Sequence, residues 1–144
     1  MAVFQSGSAQ QTREIGRSLG ARLRPGDVVA LYGGLGAGKT AFVSGLAQGL
    51  GITQLVSSPT FALVNSYAGE IPLHHFDMYR IDGWDDLYST GFFDYLEQPA
   101  VIAVEWSENI EAALPPGHHT VQLRQSAADE NCREIIIDGD TNSD

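Results

Sequence analysis

The chain has 144 residues, 43% of them hydrophobic and 18% charged, a composition that predicts a folded domain rather than a disordered chain. Its formal charge of −10 argues against direct nucleic-acid binding, which needs clustered lysine and arginine. A single cysteine excludes an internal disulfide, no secretory signal is visible, and no apolar stretch approaches the ~20 residues of a membrane span. We therefore expect a soluble cytoplasmic protein with one domain over residues 1–138 and a disordered tail over 139–144.

The first third of the chain is predicted to form a helix, a strand and a second helix. Ser8 is expected to cap a helix that runs to about Leu23, where a Pro-Gly pair ends it. The apolar run over 27–32 (DVVALY) predicts a short buried strand, which leads into a glycine-rich segment. A helix is predicted over 39–50, ending at the next glycine.

The rest of the chain is predicted to alternate strands with short helices. The strands are expected over 61–67, 72–79, 100–104, 121–123 and 134–137. The first two form a hairpin, the third is buried on both faces, and the last two form a final pair. Two helical pieces are predicted: one that begins with Asp82 as its N-cap, and one over 92–96. This interleaving predicts the α/β class with some antiparallel pairing.

The segment from Gly33 to Thr40 (GGLGAGKT) matches the phosphate-binding pattern G-x-x-x-x-G-K-[ST], between a predicted strand and a predicted helix. Glycines let backbone N–H groups point at phosphate oxygens, and the helix N-terminus faces the same anion. Lys39, the only lysine, would reach the β- and γ-phosphates, and the Thr40 hydroxyl would bind Mg²⁺. The segment therefore predicts a nucleoside triphosphate site. Its expected binding residues are Gly33, Gly36, Ala37, Gly38, Lys39, Thr40 and Ala41.

Such a loop needs a further acidic residue that helps to hold the metal, usually at the end of an apolar strand. Glu105 follows the apolar run VIAV and is the first candidate. Asp77, in HFDMYR, also follows a strand-like run and is the candidate for a second group that supports the metal or orients water. Strand alternation predicts that His75, Asp77 and Tyr79 share one face.

The motifs and residue types that the sequence lacks limit which class of phosphate-loop protein it can be. The guanine-specific motif N-K-x-D is impossible because the only lysine is already used, so ATP is favoured over GTP. No lysine or arginine lies between Arg80 and Arg124, which leaves an arginine-bearing kinase lid little to work with. The eight acidic residues in that gap form either a solvated face or a docking surface for a basic partner. We expect an ATPase that is slow without a partner; a small-molecule kinase and a nucleotide-dependent interaction module without turnover are the alternatives.

Four motifs together carry a resemblance to a known family. GGLGAGKT is followed by SSPTF from Ser57, HFDMYR from His75 and VEWSE from Val104. In order and spacing they resemble the TsaE (YjeE) family, bacterial ATPases that assist synthesis of threonylcarbamoyladenosine at position 37 of tRNA. The resemblance runs from about Leu31 to Glu108. It implies a P-loop NTPase-like three-layer sandwich with a mixed, mostly parallel sheet and antiparallel hairpins.

The resemblance also implies a partner, two cofactors and residue roles. Members of this family use ATP and Mg²⁺ and dock on the threonylcarbamoyl-transferase heterodimer TsaB–TsaD, so the chain would meet tRNA only through partners, with no membrane or DNA partner. By motif, Lys39 would act on the phosphates, Thr60 of the SPT segment would sense the γ-phosphate, and Asp77 would assist catalysis. Thr40 and Glu105 would form the metal site.

Two further residues are assigned by the resemblance. Trp106, beside the metal glutamate, is similar to a functionally sensitive tryptophan of the family, although core packing explains it equally well. Arg133, in the last strand pair, is expected to contact the nucleotide. The chain departs from the family pattern at Gly34, where an acidic residue is common, and at Ala41, where a second threonine is common. Both departures bear on nucleotide affinity rather than on function.

Overall fold

A computed structural model describes residues 1–34, 38–59, 63–126 and 132–139, and strands and helices alternate through them. The strands are β1 (Ala2–Ser6), β2 (Val28–Tyr32), β3 (Val64–Tyr67), β4 (Leu73–Asp77), β5 (Val101–Glu105), β6 (His119–Gln125) and β7 (Arg133–Asp138). The helices are α1 (Ala9–Gly20), α2 (Lys39–Gly49), α3 (Trp84–Ser89) and α4 (Phe92–Leu96), with 3₁₀ turns at Ser107–Asn109 and Glu111–Ala113. Within these residues, no helix has the length and apolarity that a membrane span requires.

The described strands form one sheet in the order β1-β7-β6-β2-β5-β4-β3. The four central strands, β6, β2, β5 and β4, are parallel, while β1, β7 and β3 pair antiparallel toward the edges. β2 and β5 are continuous apolar runs, as is typical of parallel strands covered on both faces. The predicted mixed sheet with a parallel centre and antiparallel pairs is therefore confirmed.

Helices cover both faces of the sheet, which confirms the predicted three-layer arrangement. Leu19 of α1 and Phe42 of α2 are fully buried in one core cluster. Leu87 of α3 and Phe92 of α4 belong to the cluster on the opposite face. Each such side chain stabilises the fold by about 1.5–3 kcal/mol when it leaves water, so the two clusters anchor the helices to the sheet.

α1 and α2 contact each other through their backbones. Gly16 of α1 and Gly45 of α2 lie at the crossing, and each helix has a second glycine four residues further along. A Cβ atom added at Gly45 would lie 2.0 Å from the carbonyl oxygen of Arg13, and one at Gly16 would lie 2.3 Å from that of Phe42. Only glycine permits this approach, which fixes α2, and with it Lys39 at its start, against α1.

The two predicted helix caps have different outcomes. Ser8 caps α1 as predicted, because its hydroxyl accepts a hydrogen bond of 3.1 Å from the N–H of Gln11. The prediction that Asp82 caps the next helical piece is wrong. Gly83 is the N-cap of α3, and Asp82 instead donates its backbone N–H to Oδ2 of Asp86 at 3.0 Å.

Strand boundaries differ from prediction where the backbone leaves the extended conformation. The strand expected from residue 61 begins at Val64, because Leu63 has a φ of +72°; residues 61–62 lie outside the described residues. The predicted hairpin of β3 and β4 is confirmed. β1, an edge strand paired with β7, was not predicted. Of the predicted tail, only Gly139 is among the described residues.

Candidate functional site

Several of the predicted site residues lie at one edge of the sheet because β2, β5 and β4 are parallel. Their carboxyl ends meet there: the glycine-rich segment leaves β2 at Gly33, β5 ends at Glu105 and β4 ends at Asp77. Asp77 and Glu105 are register partners, so their side chains lie on the same face, the one covered by α1 and α2. Ligand sites of open α/β sheets typically form at this edge.

The described part of the glycine-rich segment contains two glycines with positive φ, a conformation that few other residues adopt. Gly33 and Gly38 have φ values of +150° and +97°. Gly38 is the N-cap of α2, and no described side chain caps that helix, so its first N–H groups can meet an anion. Thr40 is exposed on the first turn of α2, beside the half-buried Ala41. The predicted loop residues outside the described residues are Gly36 and Ala37.

Lys39 is buried at the start of α2, with 7% of its surface exposed. Its Nζ lies 3.7 Å from Oε1 of Glu105 and 4.9 Å from the ring centre of Trp106. A buried ammonium needs such compensation, which the carboxylate supplies by charge and the indole by a cation–π contact. The Lys39–Glu105 distance exceeds that of a hydrogen bond, so the ion pair is loose.

Glu105 also contacts His75, a residue that the sequence analysis did not assign to the site. Nε2 of His75 lies 2.6 Å from Oε2 of Glu105, and His75 is fully buried. Strand alternation correctly placed His75 on the face of Asp77. It could not show that β4 lies beside β5, and this neighbourhood brings the imidazole to the carboxylate.

Asp77 is buried at the end of β4, and backbone hydrogen bonds fix it there. Its Oδ1 accepts a bond of 2.9 Å from the N–H of Tyr79, and its own N–H donates to the carbonyl of Leu63 at 2.9 Å. Tyr79 was expected to share the face of Asp77, but β4 ends at Asp77 and Tyr79 is largely exposed in the turn that follows. Thr60, the predicted γ-phosphate sensor, lies outside the described residues.

Trp106 follows β5 in a left-handed conformation, with φ +59° and ψ +42°. For a non-glycine residue this conformation costs roughly 1–2 kcal/mol, so the surrounding contacts must hold it. The ring packs against Tyr79, with 4.9 Å between centres, and also borders Lys39. Trp106 is also half-buried against the core cluster of α3 and α4. The same side chain therefore packs against the core and lies beside Lys39.

Arg133 lies at the same sheet edge but two strands away from the glycine-rich segment. It begins β7 and pairs with Gln125, the last residue of β6, which is parallel to β2. Its Nη1 donates to the carbonyl of Cys132 at 3.2 Å. This position is compatible with the predicted nucleotide contact only if the side chain reaches across β6.

Tyr32 connects the start of the glycine-rich segment to the 3₁₀ turn at Glu111–Ala113. Its hydroxyl donates to Oε2 of Glu111 at 3.1 Å. Burial, and after it the hydrogen bond to Glu111, raise the pKa of Tyr32 to about 12. The phenol therefore stays protonated beside this carboxylate, at the residue that directly precedes Gly33.

Comparison with known protein families gives a match over most of the chain. The family model described as "Threonylcarbamoyl adenosine biosynthesis protein TsaE" matches residues 6–135. That range contains all four motifs on which the predicted resemblance was based, and the resemblance is confirmed.

Individual relatives agree with the family match. The chain is 41% identical to the tRNA threonylcarbamoyladenosine biosynthesis protein TsaE of Bacillus subtilis, over 89% of this chain and 79% of the relative. It is 42% identical to the protein of the same name from Treponema pallidum, over 92% of this chain and 96% of the relative. The crystal structure of Bacillus subtilis YdiB superposes with a TM-score of 0.80 at 34% identity, covering 99% of this chain and 86% of that chain.

Proposed function

Because the chain belongs to the TsaE family of threonylcarbamoyl adenosine biosynthesis proteins, we propose that it binds and hydrolyses ATP in support of the modification of adenosine 37 in tRNA. It would act on the TsaB–TsaD transferase complex, in the cytoplasm, and not on tRNA itself. The observation that carries the proposal is the meeting of Lys39, Glu105 and Asp77 at the sheet edge where the glycine-rich segment leaves β2.

ATP binding is supported by the start of α2. The glycine-rich segment ends at Gly38, and the uncapped first turn of α2 offers N–H donors to an anion. Lys39 brings a positive charge to the same place from a largely buried position, where Coulomb attraction is weakly screened. Backbone donors, a helix N-terminus and one buried cation are together suited to a polyphosphate.

The residues at this edge also fit Mg²⁺. Thr40 offers a hydroxyl and Glu105 a carboxylate, and Mg²⁺ prefers such oxygen ligands. Within the described residues, no group of three or more histidine, cysteine or acidic side chains could hold a metal by itself. Mg²⁺ is usually bound by one or two carboxylates together with phosphate oxygens and water. Bound Mg²⁺ would neutralise charge on the phosphates.

In this proposal the side chains have separate tasks. Lys39 attracts and orients the phosphates, while Thr40 and Glu105 would hold the metal. Asp77, fixed by the N–H of Tyr79, would orient the attacking water or accept its proton. The stretch from Ile81 to Leu123 contains no arginine, and a finger arginine accelerates phosphoryl transfer by about 10³–10⁵-fold where one is present. We therefore expect slow hydrolysis by the free chain and faster hydrolysis on the partner complex.

The first test is ATP hydrolysis by the purified chain, alone and with purified TsaB–TsaD. A slow rate that rises sharply with the pair supports the proposal. An unchanged rate, with no complex on a sizing column, contradicts the partner assignment. Transfer of phosphate from ATP to a metabolite by the chain alone would instead favour a small-molecule kinase.

The second test separates the site from the rest of the fold. Lys39→Ala should abolish stimulated hydrolysis and support of tRNA modification, because the ammonium that lies beside Glu105 is lost. Arg24→Ala is the matched control, since it also removes a positive charge but lies before β2, at the opposite edge of the sheet. Normal activity of Lys39→Ala would refute the phosphate-loop assignment.

A further inference from the structure

We propose that His75 is a positioning residue for Glu105: its imidazole fixes one carboxylate oxygen so that the other faces Lys39. The inference rests on the proposed function, which assigns Glu105 to the Mg²⁺ site. It concerns a residue on β4 that was not predicted to bind phosphate and that acts through its neighbour on β5.

The contact between the two side chains is short and shielded from water. Nε2 of His75 lies 2.6 Å from Oε2 of Glu105; His75 has 0% exposed surface and Glu105 5%. An ionised carboxylate oxygen can only accept, so Nε2 carries the proton and donates it. Hydrogen bonds to an ionised acceptor are among the stronger ones in proteins, and in a buried setting they restrict the orientation of the carboxylate.

The other nitrogen of the ring indicates that packing alone does not explain this histidine. Nδ1 of His75 is buried and has no hydrogen-bond partner among the described residues. A buried unsatisfied polar atom costs about 1–3 kcal/mol, which an apolar side chain of similar size would avoid. Among the described residues, Glu105 is thus the hydrogen-bond partner of the His75 ring.

The bond leaves the two oxygens of Glu105 in different situations. Oε2 is held by His75, while Oε1 lies 3.7 Å from Nζ of Lys39, beyond hydrogen-bond distance. Without His75, Glu105 could rotate and close on Lys39 to the ~2.7–2.9 Å of a charge-assisted hydrogen bond. In such a close ion pair, the carboxylate would be less available to a metal and the ammonium less available to phosphate. His75 thus keeps Glu105 available to a metal and Lys39 available to phosphate.

The neighbouring histidine provides a matched control. His74 is also buried on β4, but both of its ring nitrogens are satisfied, by Ser66 Oγ and Gln98 Oε1 at 2.8 Å each. Strand alternation places its side chain on the opposite face from His75. A loss of fold stability caused by removing a buried histidine of β4 should therefore affect both variants, whereas an effect on the metal site should affect only His75.

The experiment measures the affinity of the full chain for a non-hydrolysable ATP analogue, with and without Mg²⁺, by titration calorimetry. In His75→Leu the enhancement of affinity by Mg²⁺ should fall about 10-fold or more, the usual effect of losing a group that orients a metal ligand, while the Mg²⁺-free affinity is retained. His75→Gln, whose amide can still donate to Oε2, should recover part of the enhancement. His74→Leu should keep it. In a Glu105→Gln background, His75→Leu should cause no further loss, because the two residues act as one unit.

Each other outcome has one meaning. If the wild type shows no Mg²⁺ enhancement, the proposed function fails at its metal site and the inference fails with it. If the wild type shows the enhancement and folded His75→Leu retains it, the proposed function stands and the inference is overturned. If His75→Leu does not fold, His75→Gln is compared with His75→Asn, whose donor is too short to reach Oε2. Equal enhancement in those two variants also overturns the inference.

Discussion

Asp77 and Glu105 end neighbouring strands on the same face, yet their surroundings suit them to different tasks. Glu105 has a cation near one oxygen and a hydrogen-bonded imidazole on the other, an arrangement suited to the metal ligand that we propose it to be. Asp77 is oriented by a backbone N–H of the turn that follows β4. A carboxylate that is oriented by the main chain and forms no ion pair with the described residues is suited to accept a proton.

Asp77→Asn should therefore leave ATP binding intact and slow hydrolysis. Asn retains the oxygen that accepts the N–H of Tyr79, so the turn is preserved, but the amide cannot take up a proton. General-base catalysis typically contributes about 10²–10⁴-fold, so we expect a loss of kcat in that range on TsaB–TsaD. Asp85→Asn, on the exposed surface of α3, is the control. Weaker ATP binding at unchanged kcat would assign Asp77 to structure, and indifference to the substitution would favour an interaction module without turnover.

Tyr32 predicts how stability depends on alkaline pH. Its pKa is about 12 in the folded chain, against 10.0 for an unperturbed tyrosine, because burial and Glu111 oppose ionisation. The unfolded chain therefore loses this proton first, and the stabilisation, fully present below pH 10, disappears as the pH rises toward 12. In Tyr32→Phe the decline of unfolding free energy over this interval should be shallower. Tyr88→Phe, at an exposed tyrosine, should decline like the wild type, and parallel curves for all three would contradict the assignment.

The contact between α1 and α2 determines where Lys39 lies, because Lys39 is the first residue of α2. The approach depends on glycines, since a Cβ at Gly45 would lie 2.0 Å from a backbone oxygen of α1. Backbone cannot move aside as the end of a flexible side chain can. The position of Lys39, the proposed phosphate-binding residue, therefore depends on the packing of residues that carry no side chain.

Gly45→Ala should lower the free energy of unfolding by about 1–3 kcal/mol, the usual cost of an overpacked core. The loss should occur although alanine favours a helix over glycine by about 1 kcal/mol. Gly34→Ala is the matched control, because its Cβ would meet no atom of the described residues within 4 Å. Urea denaturation of both variants measures the difference. A Gly45→Ala variant as stable as the wild type would show that the helices are not in backbone contact.

For helices and strands, the sequence predicts the features that depend on residues close together in the chain, and not those that depend on distant ones. The start of α1 and the buried strands were predictable because their signals are local: Ser8 with the apolar period of α1, or the run before Glu105. The contact between α1 and α2 was not predictable, because glycines four residues apart give no hydrophobic period and do not indicate which helix they face. β1 was not predicted, because it pairs with β7 at the other end of the chain and local patterns do not show such a pairing. The role of His75 required the strand order, which no local pattern contains.

At the scale of the whole molecule, charge is distributed unevenly over the fold. Four arginines (Arg13, Arg17, Arg22 and Arg24) lie on α1 or just after it, whereas the stretch over 81–123 has acidic residues and no lysine or arginine. That stretch includes α3 and α4, which cover the opposite face of the sheet from α1. A chain of charge −10 with this arrangement repels a polyanion at most approaches. This charge distribution agrees with the proposal that a partner, rather than the chain itself, holds the tRNA.

This distribution predicts that the chain alone does not bind tRNA. Proteins that bind nucleic acid without specificity reach dissociation constants of about 10⁻⁴–10⁻⁶ M by neutralising phosphates, a term that is unfavourable here. In gel-shift titrations we expect no shift by the chain alone, a shift with TsaB–TsaD alone, and a slower band when chain, pair and ATP are combined. The same series at two salt concentrations serves as the control. A shift by the chain alone that weakens as salt is raised would contradict the prediction and would show that the arginines of α1 contact RNA directly.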